Sequence, residues 1–264
     1  MAEYVQLGAV KTWYDEAGTG EPLVLMHGGL VDARFFAANI GPLAEQFHVY
    51  TPERRGHGHT PDVEGPISYQ IMADDTIAFL ETVVGEPADL VGHSDGAFTA
   101  MLVAMQRPEL VKRLVLISGG FNKSGEAGPE MEWDVDQIAQ FLGPTYGEVS
   151  PDGEEHFKVV ATKIGEMAAK EPNLQASELG VITARTLVMF SDDDLVTLAH
   201  AVEMYDAIPG AEFAVVPGTS HFLTQEKPDL VNRIVLDFLT NDPIPTIAGI
   251  RRTPHFDLPA ETNG

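Results

Sequence analysis

The chain has 264 residues, enough for one large α/β domain or two small ones, and its 44% hydrophobic content is ordinary for a soluble globular enzyme. Its formal net charge of −24 disfavours contact with nucleic-acid phosphates or anionic lipid surfaces and mildly favours neutral or cationic substrates, so no nucleic-acid or membrane partner is expected. The absence of cysteine excludes disulfides, thiolate metal sites and a cysteine nucleophile.

Short apolar runs alternate with amphipathic stretches up to Gly120, a pattern typical of a mostly parallel sheet with crossover helices. The predicted elements of this part are strands at 10–14, 22–26, 49–51, 88–91 and 111–117 and helices at 35–47, 71–84 and 96–106. The continuous apolar run 22–26 ends at His27-Gly28-Gly29, which is typical of a buried central strand that enters a tight loop.

The pattern changes after Gly120, because no strand is predicted between residues 121 and 183. Helices are predicted at 130–142 and 152–170, and the second carries one apolar stripe, formed by Phe157, Val160, Ile164 and Met167. An inserted helical cap above the sheet would produce this pattern, and so would an additional helical layer. The position of the insertion favours the cap.

The α/β pattern then resumes, with strands predicted at 186–190 and 212–216 and helices at 197–207 and 229–239. The sequence therefore predicts three regions, namely a core of residues 1–120 and 184–240, a helical cap of residues 121–183 and a Pro-rich C-terminal tail of residues 241–264.

The run Gly92-His93-Ser94-Asp95-Gly96 lies between a predicted strand and a predicted helix of small residues. So tight a strand-to-helix turn would hold Ser94 at strained backbone angles with its hydroxyl exposed above the sheet. Gly92 and Gly96 are needed because a Cβ at either position would collide with a neighbouring strand or helix. The helix N-terminus also favours developing negative charge. The run predicts that Ser94 is a nucleophile.

A serine hydroxyl is a poor nucleophile until a nearby imidazole can take its proton, and a carboxylate must then fix the tautomer of that imidazole. His221 follows the last predicted strand and is the candidate base. The candidate acid is Asp192, Asp193 or Asp194, since all three follow the preceding strand.

At this point the sequence resembles the α/β-hydrolase superfamily over about residues 10–240, particularly its capped esterase-like and meta-cleavage-hydrolase-like members. The motifs that agree in order and spacing are His27-Gly28-Gly29, Arg55-Gly56-His57-Gly58, the run around Ser94, the acidic loop and Gly218-x-x-His221. The resemblance implies an α/β-hydrolase fold with a mostly parallel central sheet flanked by helices.

The resemblance also selects Asp194 as the acid, because relatives place it last in a Gly-Asp-x-Asp-like loop; Asp192 and Asp193 are then expected to cap the following helix. Two residues depart from the family pattern. Glu53 stands where relatives usually have Asp, and Ser191 stands where they usually have Gly.

The backbone N–H groups of Gly29 and Asp95 are the candidate oxyanion donors. His27 is expected mainly to hold its loop, and the candidates for lining a substrate pocket are His27, His93, Trp133 and Phe222. The Asp95 side chain would either attract an amino group of the substrate or bond to the cap or solvent. No spacing resembles a metal site or a phosphate loop, so no metal and no cofactor are expected.

These features predict a serine hydrolase that cleaves a small, neutral carboxylic ester or lactone through a Ser-His-Asp triad and an acyl-enzyme. Cleavage of a C–C or amide bond on the same fold stays open. C–C cleavage needs cations to hold a carboxylated substrate, and the cap offers only Lys123, Lys158, Lys163 and Lys170 among many acidic residues. A signalling protein that binds a ligand and turns it over slowly would carry the same motifs.

The expected partner is a small-molecule substrate, and the chain is expected to be a monomer or homodimer. Residues 1–4 carry an acidic residue and lack the basic segment and apolar run of a signal peptide, and no apolar stretch approaches the ~18–20 residues that cross a bilayer. A cytoplasmic location is therefore expected.

Overall fold

The computed structural model describes residues 2–128, 133–244, 246, 247 and 249. Its strands form one eight-stranded sheet in the order β1-β2-β4-β3-β5-β6-β7-β8. The strands are β1 (Glu3–Leu7), β2 (Val10–Ala17), β3 (Glu21–Met26), β4 (Phe47–Pro52), β5 (Ala88–His93), β6 (Val111–Ile117), β7 (Arg185–Asp193) and β8 (Glu212–Ser220).

Strands β3 to β8 pair in parallel, whereas β2 is antiparallel to both β1 and β4. The predicted α/β-hydrolase architecture with a mostly parallel sheet is confirmed. Strand β1 was not predicted, because only Leu7 of its five residues is buried and the edge strand lacks a strong apolar pattern. Since the carboxyl ends of parallel strands meet at one edge of a sheet, residues that follow β3, β4, β5, β7 and β8 lie near one another.

The helices are α1 (Ala37–Ala44), α2 (Tyr69–Phe79), α3 (Asp95–Gln106), α4 (Val135–Gly147), α5 (Phe157–Ala168), α6 (Leu198–Ala207), α7 (Leu223–Glu226) and α8 (Pro228–Thr240). They cover both faces of the sheet, and β3 shows how. Val24 and Met26 pack in a core shared with α2, α3 and α6, whereas Leu23 and Leu25 pack in a second core with α1 and α8. This alternation gives each face of the sheet its own apolar layer.

Helices α4 and α5 lie in the insertion between β6 and β7. The predicted apolar stripe of α5 is buried, as its periodicity indicated. Helix α4 begins at Val135 rather than at residue 130, and residues 129–132 lie outside the described chain. Most of the predicted tail, 241–264, also lies outside the described residues. In the described part of the chain, no helix is both long and apolar enough to cross a membrane.

Candidate active site

Ser94 lies between the end of β5 and the start of α3, with φ of 52° and ψ of −119°. Few non-glycine residues adopt a positive φ, and strain of this kind is typical of functional sites. A Cβ on Gly92 would overlap the Gly96 carbonyl oxygen, and one on Gly96 would overlap the Met26 carbonyl oxygen. The predicted need for glycine at both positions is confirmed, because α3 crosses directly against β3 and β5.

His221, the first residue after β8, connects Ser94 to Asp194. Its Nε2 lies 3.0 Å from Ser94 Oγ, and its Nδ1 lies 2.7 Å from Asp194 Oδ1. An ionised carboxylate only accepts hydrogen bonds, so Nδ1 carries the proton and the Nε2 lone pair accepts from the Ser94 hydroxyl. The structure thus brings the three predicted residues into one chain of hydrogen bonds.

Asp194 is held by two serine residues at the carboxyl ends of β6 and β7. Its Oδ2 accepts hydrogen bonds from Ser118 Oγ at 2.5 Å, Ser191 Oγ at 2.9 Å and Ser191 N at 3.2 Å. Burial opposes ionisation, but the hydrogen bonds from His221 and Ser118 outweigh it and lower the pKa of Asp194 to about 2. Ser191, one of the two departures from the family pattern, therefore supports the carboxylate.

The other two aspartates of this loop have different positions. Asp192 Oδ1 accepts a hydrogen bond from Thr219 N at 3.2 Å, which ties the loops after β7 and β8 together, and Asp193 is exposed. Thr197 is the N-cap of α6. The expectation that these aspartates cap the helix is wrong, because α6 begins four residues beyond Asp194 and has its own cap.

His93 connects the strained turn to the loop that carries His221. Its Nε2–H donates to the His221 carbonyl oxygen at 2.8 Å, and its ring stacks on Phe35 with centroids 4.4 Å apart. Burial, with a contribution from the charge of His221, lowers the pKa of His93 to about 3. A neutral His93 with its proton on Nε2 holds the backbone of the candidate base.

The loop after β3 packs directly on this turn. A Cβ on Gly28 would lie 3.4 Å from Ser94 Cβ. The backbone N–H groups of Gly29 and Asp95, the two predicted oxyanion donors, have no hydrogen-bond acceptor within the described part of the chain. His27 Nδ1–H donates to the Gly28 carbonyl oxygen at 2.8 Å, and burial lowers the pKa of His27 well below its usual value. His27 holds the loop, as expected.

Residues 23–234, a span that contains Gly29, Ser94, Asp194 and His221, match the alpha/beta hydrolase family. The protein belongs to this family.

Its curated relatives carry several activities. A protein of Mycobacterium tuberculosis named as the non-heme bromoperoxidase BpoC is 29% identical over 255 residues, which cover 86% of this chain and 97% of that protein. The 2-hydroxy-6-oxo-6-phenylhexa-2,4-dienoate hydrolase of Comamonas testosteroni is 27% identical over 260 residues, 86% of this chain and 90% of that enzyme. Among solved structures, Est816, described as an N-acyl homoserine lactone degrading enzyme, is 27% identical with a TM-score of 0.72, covering 89% of this chain and 100% of that one.

The second departure of this hydrolase from the family pattern, Glu53, bridges the loops after β3 and β4. Its carboxylate accepts hydrogen bonds from Ala33 N at 3.2 Å, His59 N at 2.5 Å and His59 Nδ1 at 3.0 Å. The longer side chain fits because Gly58 has no Cβ, which would overlap the carboxylate. Burial raises the pKa of Glu53 to about 8.

The Asp95 side chain bonds to the core rather than to the cap. Its Oδ1 accepts a hydrogen bond from the Tyr69 hydroxyl at 2.6 Å, and Tyr69 is a buried residue of α2 in the core. The carboxylate also lies against Gly29, where a Cβ would overlap it. Asp95 is therefore engaged within the hydrolase, beside the candidate oxyanion donors.

A cavity with about 650 Å³ of empty space, partly open to solvent, lies between the loop after β3 and helices α4 and α5. Its walls include Leu30, Val31, Phe35, Leu142, Phe157 and Val160. The side chains of Ser94, Asp194 and His221 are not part of these walls. The cavity adjoins them through Leu30, which follows Gly29, and through Phe35, which stacks on His93.

The four predicted pocket-lining residues lie outside the walls of this cavity. His27 and His93 are buried within the loops they hold. Trp133 packs on α5, where its Nε1–H donates to the Ala161 carbonyl oxygen at 2.9 Å. Phe222 is 47% exposed, and its ring meets that of His221 edge-on with centroids 5.9 Å apart.

Proposed function

We propose that this hydrolase cleaves a small, neutral carboxylic ester or lactone through an acyl-enzyme on Ser94. The observation that carries the proposal is the hydrogen-bonded chain from Ser94 through His221 to Asp194, beside two backbone N–H groups without acceptors in the described chain. These are the parts that acyl transfer requires: an activated nucleophile, an oriented base and donors for an oxyanion.

In the proposed reaction, His221 Nε2 takes the Ser94 proton as Oγ attacks the substrate carbonyl carbon. The carbonyl oxygen becomes an oxyanion that accepts hydrogen bonds from the N–H groups of Gly29 and Asp95. Collapse of this intermediate breaks the bond to the alcohol oxygen, which leaves with the proton from His221. A water molecule, deprotonated by the same imidazole, then attacks the acyl-enzyme, and the carboxylic acid leaves as Ser94 regains its proton.

A neutral substrate is supported by the ion pairs of three cations, Arg34 at the cavity wall and Lys158 and Lys163 in the insertion. Arg34, at the cavity wall, donates to Asp32 through Nε and Nη2 and to Glu148 through Nη1. In the insertion, Lys163 pairs with Asp62 at 2.7 Å and Lys158 pairs with Asp136 at 2.8 Å. A carboxylated substrate would have to compete with these carboxylates. A lactone is further supported by the likeness to Est816.

We also propose that residues 121–183 form the cap of the substrate site. Helices α4 and α5 supply Leu142, Tyr146, Phe157 and Val160 to the cavity wall that faces the loop after β3. Lys163 and His156 of the insertion both bond to Asp62 Oδ2, at 2.7 and 2.9 Å, and tie this segment to the core.

The test is covalent labelling combined with turnover. A fluorophosphonate probe should label Ser94, and Ser94→Ala should abolish both the labelling and the hydrolysis of p-nitrophenyl acetate and butyrate, while Ser124→Ala, which removes an exposed serine, should change neither. A panel of γ- and δ-lactones then compares lactones with open-chain esters. Absence of labelling, together with no hydrolysis of any ester or lactone, would refute the proposal.

C–C bond hydrolysis is the second candidate, because the dienoate hydrolase of Comamonas testosteroni is similar over most of both chains. The decisive assay is turnover of a 2-hydroxy-6-oxo-dienoate followed by loss of its visible absorbance. Faster cleavage of the dienoate than of every ester and lactone would favour this candidate. A ligand-binding protein with slow turnover would instead give a labelled Ser94 with less than about one turnover per minute on its best ligand.

A further inference from the structure

Arg54, which follows Glu53 after β4, is a buried arginine whose guanidinium is only partly hydrogen-bonded. The residue is 7% exposed, and its Nε and Nη1 atoms are buried with no hydrogen-bond partner in the described chain. Unpaired donors of a buried charge cost free energy, and an apolar side chain of similar size would avoid that cost. The adjacent Arg55 differs, because its Nε and Nη2 donate to Asp75 at 2.7 and 2.8 Å.

The remaining nitrogen of the Arg54 guanidinium contacts the oxyanion loop. Nη2 donates to the Gly28 carbonyl oxygen at 2.7 Å, and His27 Nδ1–H donates to the same oxygen at 2.8 Å. Arg54 also orients His27, because its backbone N–H donates to His27 Nε2 at 3.2 Å. The Gly28 carbonyl is therefore held from the buried side by two donors.

Holding this carbonyl also holds the N–H of Gly29. The peptide bond between Gly28 and Gly29 is trans, so its C=O and N–H point in opposite directions. Two successive glycines impose little conformational preference of their own, and the peptide would otherwise rotate freely. With the Gly28 oxygen directed to Arg54 and His27, the Gly29 N–H points away from them, on the opposite side of the loop.

The charge of Arg54 has a second consequence at the same loop. The Asp95 carboxylate lies against Gly29, and a negative charge there would repel an oxyanion bound to the Gly29 N–H. Arg54 and Asp95 interact favourably, and the Tyr69 hydroxyl donates to the carboxylate at 2.6 Å. Arg54 thus offsets the negative charge of the Asp95 carboxylate, which lies against Gly29.

We propose that Arg54 is a positioning residue of the oxyanion hole, which holds the Gly29 N–H in place through the Gly28 carbonyl and offsets the charge of Asp95. The inference rests on the proposed function, because it presumes that an oxyanion forms at Ser94. Arg54 does not touch the substrate and acts through its neighbours.

The experiment compares Arg54→Met with the control Arg55→Met, which removes the adjacent arginine without touching Gly28. On p-nitrophenyl butyrate, Arg54→Met should lower kcat about 10-fold or more, less than the ~10²–10³-fold loss of a whole oxyanion donor, with KM within about threefold. The inhibition constant of 1,1,1-trifluorohexan-2-one, which forms a tetrahedral adduct on serine, should rise by the same factor. Arg54→Lys, which keeps a charged donor, should recover part of kcat.

A purely structural role for Arg54 predicts that Arg54→Met is less stable than Arg55→Met. The positioning role instead predicts, in urea unfolding, that Arg54→Met is no less stable than Arg55→Met, since the Arg54 guanidinium leaves two nitrogens unpaired. A kcat for Arg54→Met within threefold of wild type, or an unchanged inhibition constant for the ketone, would overturn the proposal. If Arg54→Met does not fold, Arg54→Lys is compared with the wild type instead. A positioning role requires its kcat and its affinity for the ketone to fall by the same factor.

The charge component is tested by adding Asp95→Asn, which keeps the backbone N–H of Asp95. The double variant should be more active than Arg54→Met alone, because the uncompensated carboxylate is gone; equal or lower activity would refute this component. Failure of the proposed function is detected separately. If Ser94 is not the nucleophile, Ser94→Ala retains activity, whatever the Arg54 variants show.

Discussion

Replacing Asp194 with asparagine should stop the reaction by changing the tautomer of His221. In the wild type, Oδ2 of Asp194 faces three donors, from Ser118 Oγ, Ser191 Oγ and Ser191 N. The asparagine will turn its oxygen to these donors and its NH₂ group to His221. His221 Nδ1 must then accept a hydrogen bond, so the ring proton moves to Nε2. A protonated Nε2 has no free lone pair and cannot take the proton of Ser94.

The expected loss in kcat is about 10⁴-fold, the size seen when a triad aspartate is neutralised without moving it. Stability should fall too. The pKa of Asp194 falls from 3.8 to about 2 on folding, which corresponds to about 2 kcal/mol at neutral pH. Because the folded-state pKa is depressed, this contribution is present above about pH 4 and is lost as the pH falls towards 2.

The assay is steady-state hydrolysis of p-nitrophenyl butyrate, with urea unfolding at pH 7 and at about pH 2.5, where most of the Asp194 contribution is lost. Asp192→Asn is the matched control, because its side chain receives only the Thr219 N–H and does not face His221. We expect Asp192→Asn to keep at least a third of the wild-type kcat. Retention of more than a tenth of kcat in Asp194→Asn, or an equal loss in Asp192→Asn, would refute the tautomer argument.

Three further changes test the fold and the cavity. Asp89→Asn should raise the unfolding free energy by up to about 3 kcal/mol at pH 7.5 in urea, because burial raises the pKa of Asp89 to about 6. A raised pKa makes the wild type lose stability as the pH rises from about 4 to 6. The difference in unfolding free energy between Asp89→Asn and the wild type should therefore be smaller at pH 4, and a difference as large as that at pH 7.5 would contradict the reasoning. Gly96→Ala should destabilise by about 1–3 kcal/mol or more by thermal melting, since its Cβ would overlap the Met26 carbonyl oxygen, whereas Gly41→Ala, with no atom within 4 Å, should be neutral or stabilising. Leu142→Trp should fill part of the cavity and lower kcat/KM for p-nitrophenyl octanoate at least fivefold more than for the acetate; equal effects on both would remove the cavity from the substrate site.

Much of the fold could be predicted because its signals are local. A segment such as 111–117, which ends in four consecutive apolar residues, predicts a buried strand, and β6 has those bounds. The stripe of α5 likewise follows from the 3.6-residue period. Strand β1 escaped prediction because an exposed edge strand needs no apolar pattern, and α4 began later than predicted because Asp134, its N-cap, lies four residues beyond the predicted start.

The supporting residues of the site could not be found in this way. Ser118 holds Asp194 and Arg54 holds Gly28, but neither lies near its partner in sequence, and nothing in the local pattern of a serine after a strand or an arginine in a loop indicates the contact. Ser191 looked like a departure from the family pattern, and only its distance to Asp194 shows that its hydroxyl is used.

The sequence by itself determined which residues stand at the carboxyl ends of the strands: Ser94, Asp194 and His221 each follow an apolar run, and a parallel sheet brings such ends to one edge. The tertiary structure decided how these groups are held and charged. Burial and hydrogen bonds lower the pKa of Asp194, and loops distant in sequence fix the tautomer of His221 and the direction of the Gly29 N–H. The reason is physical: a strand pattern is set by neighbours in the chain, whereas solvation and hydrogen-bond geometry depend on whatever the fold packs alongside.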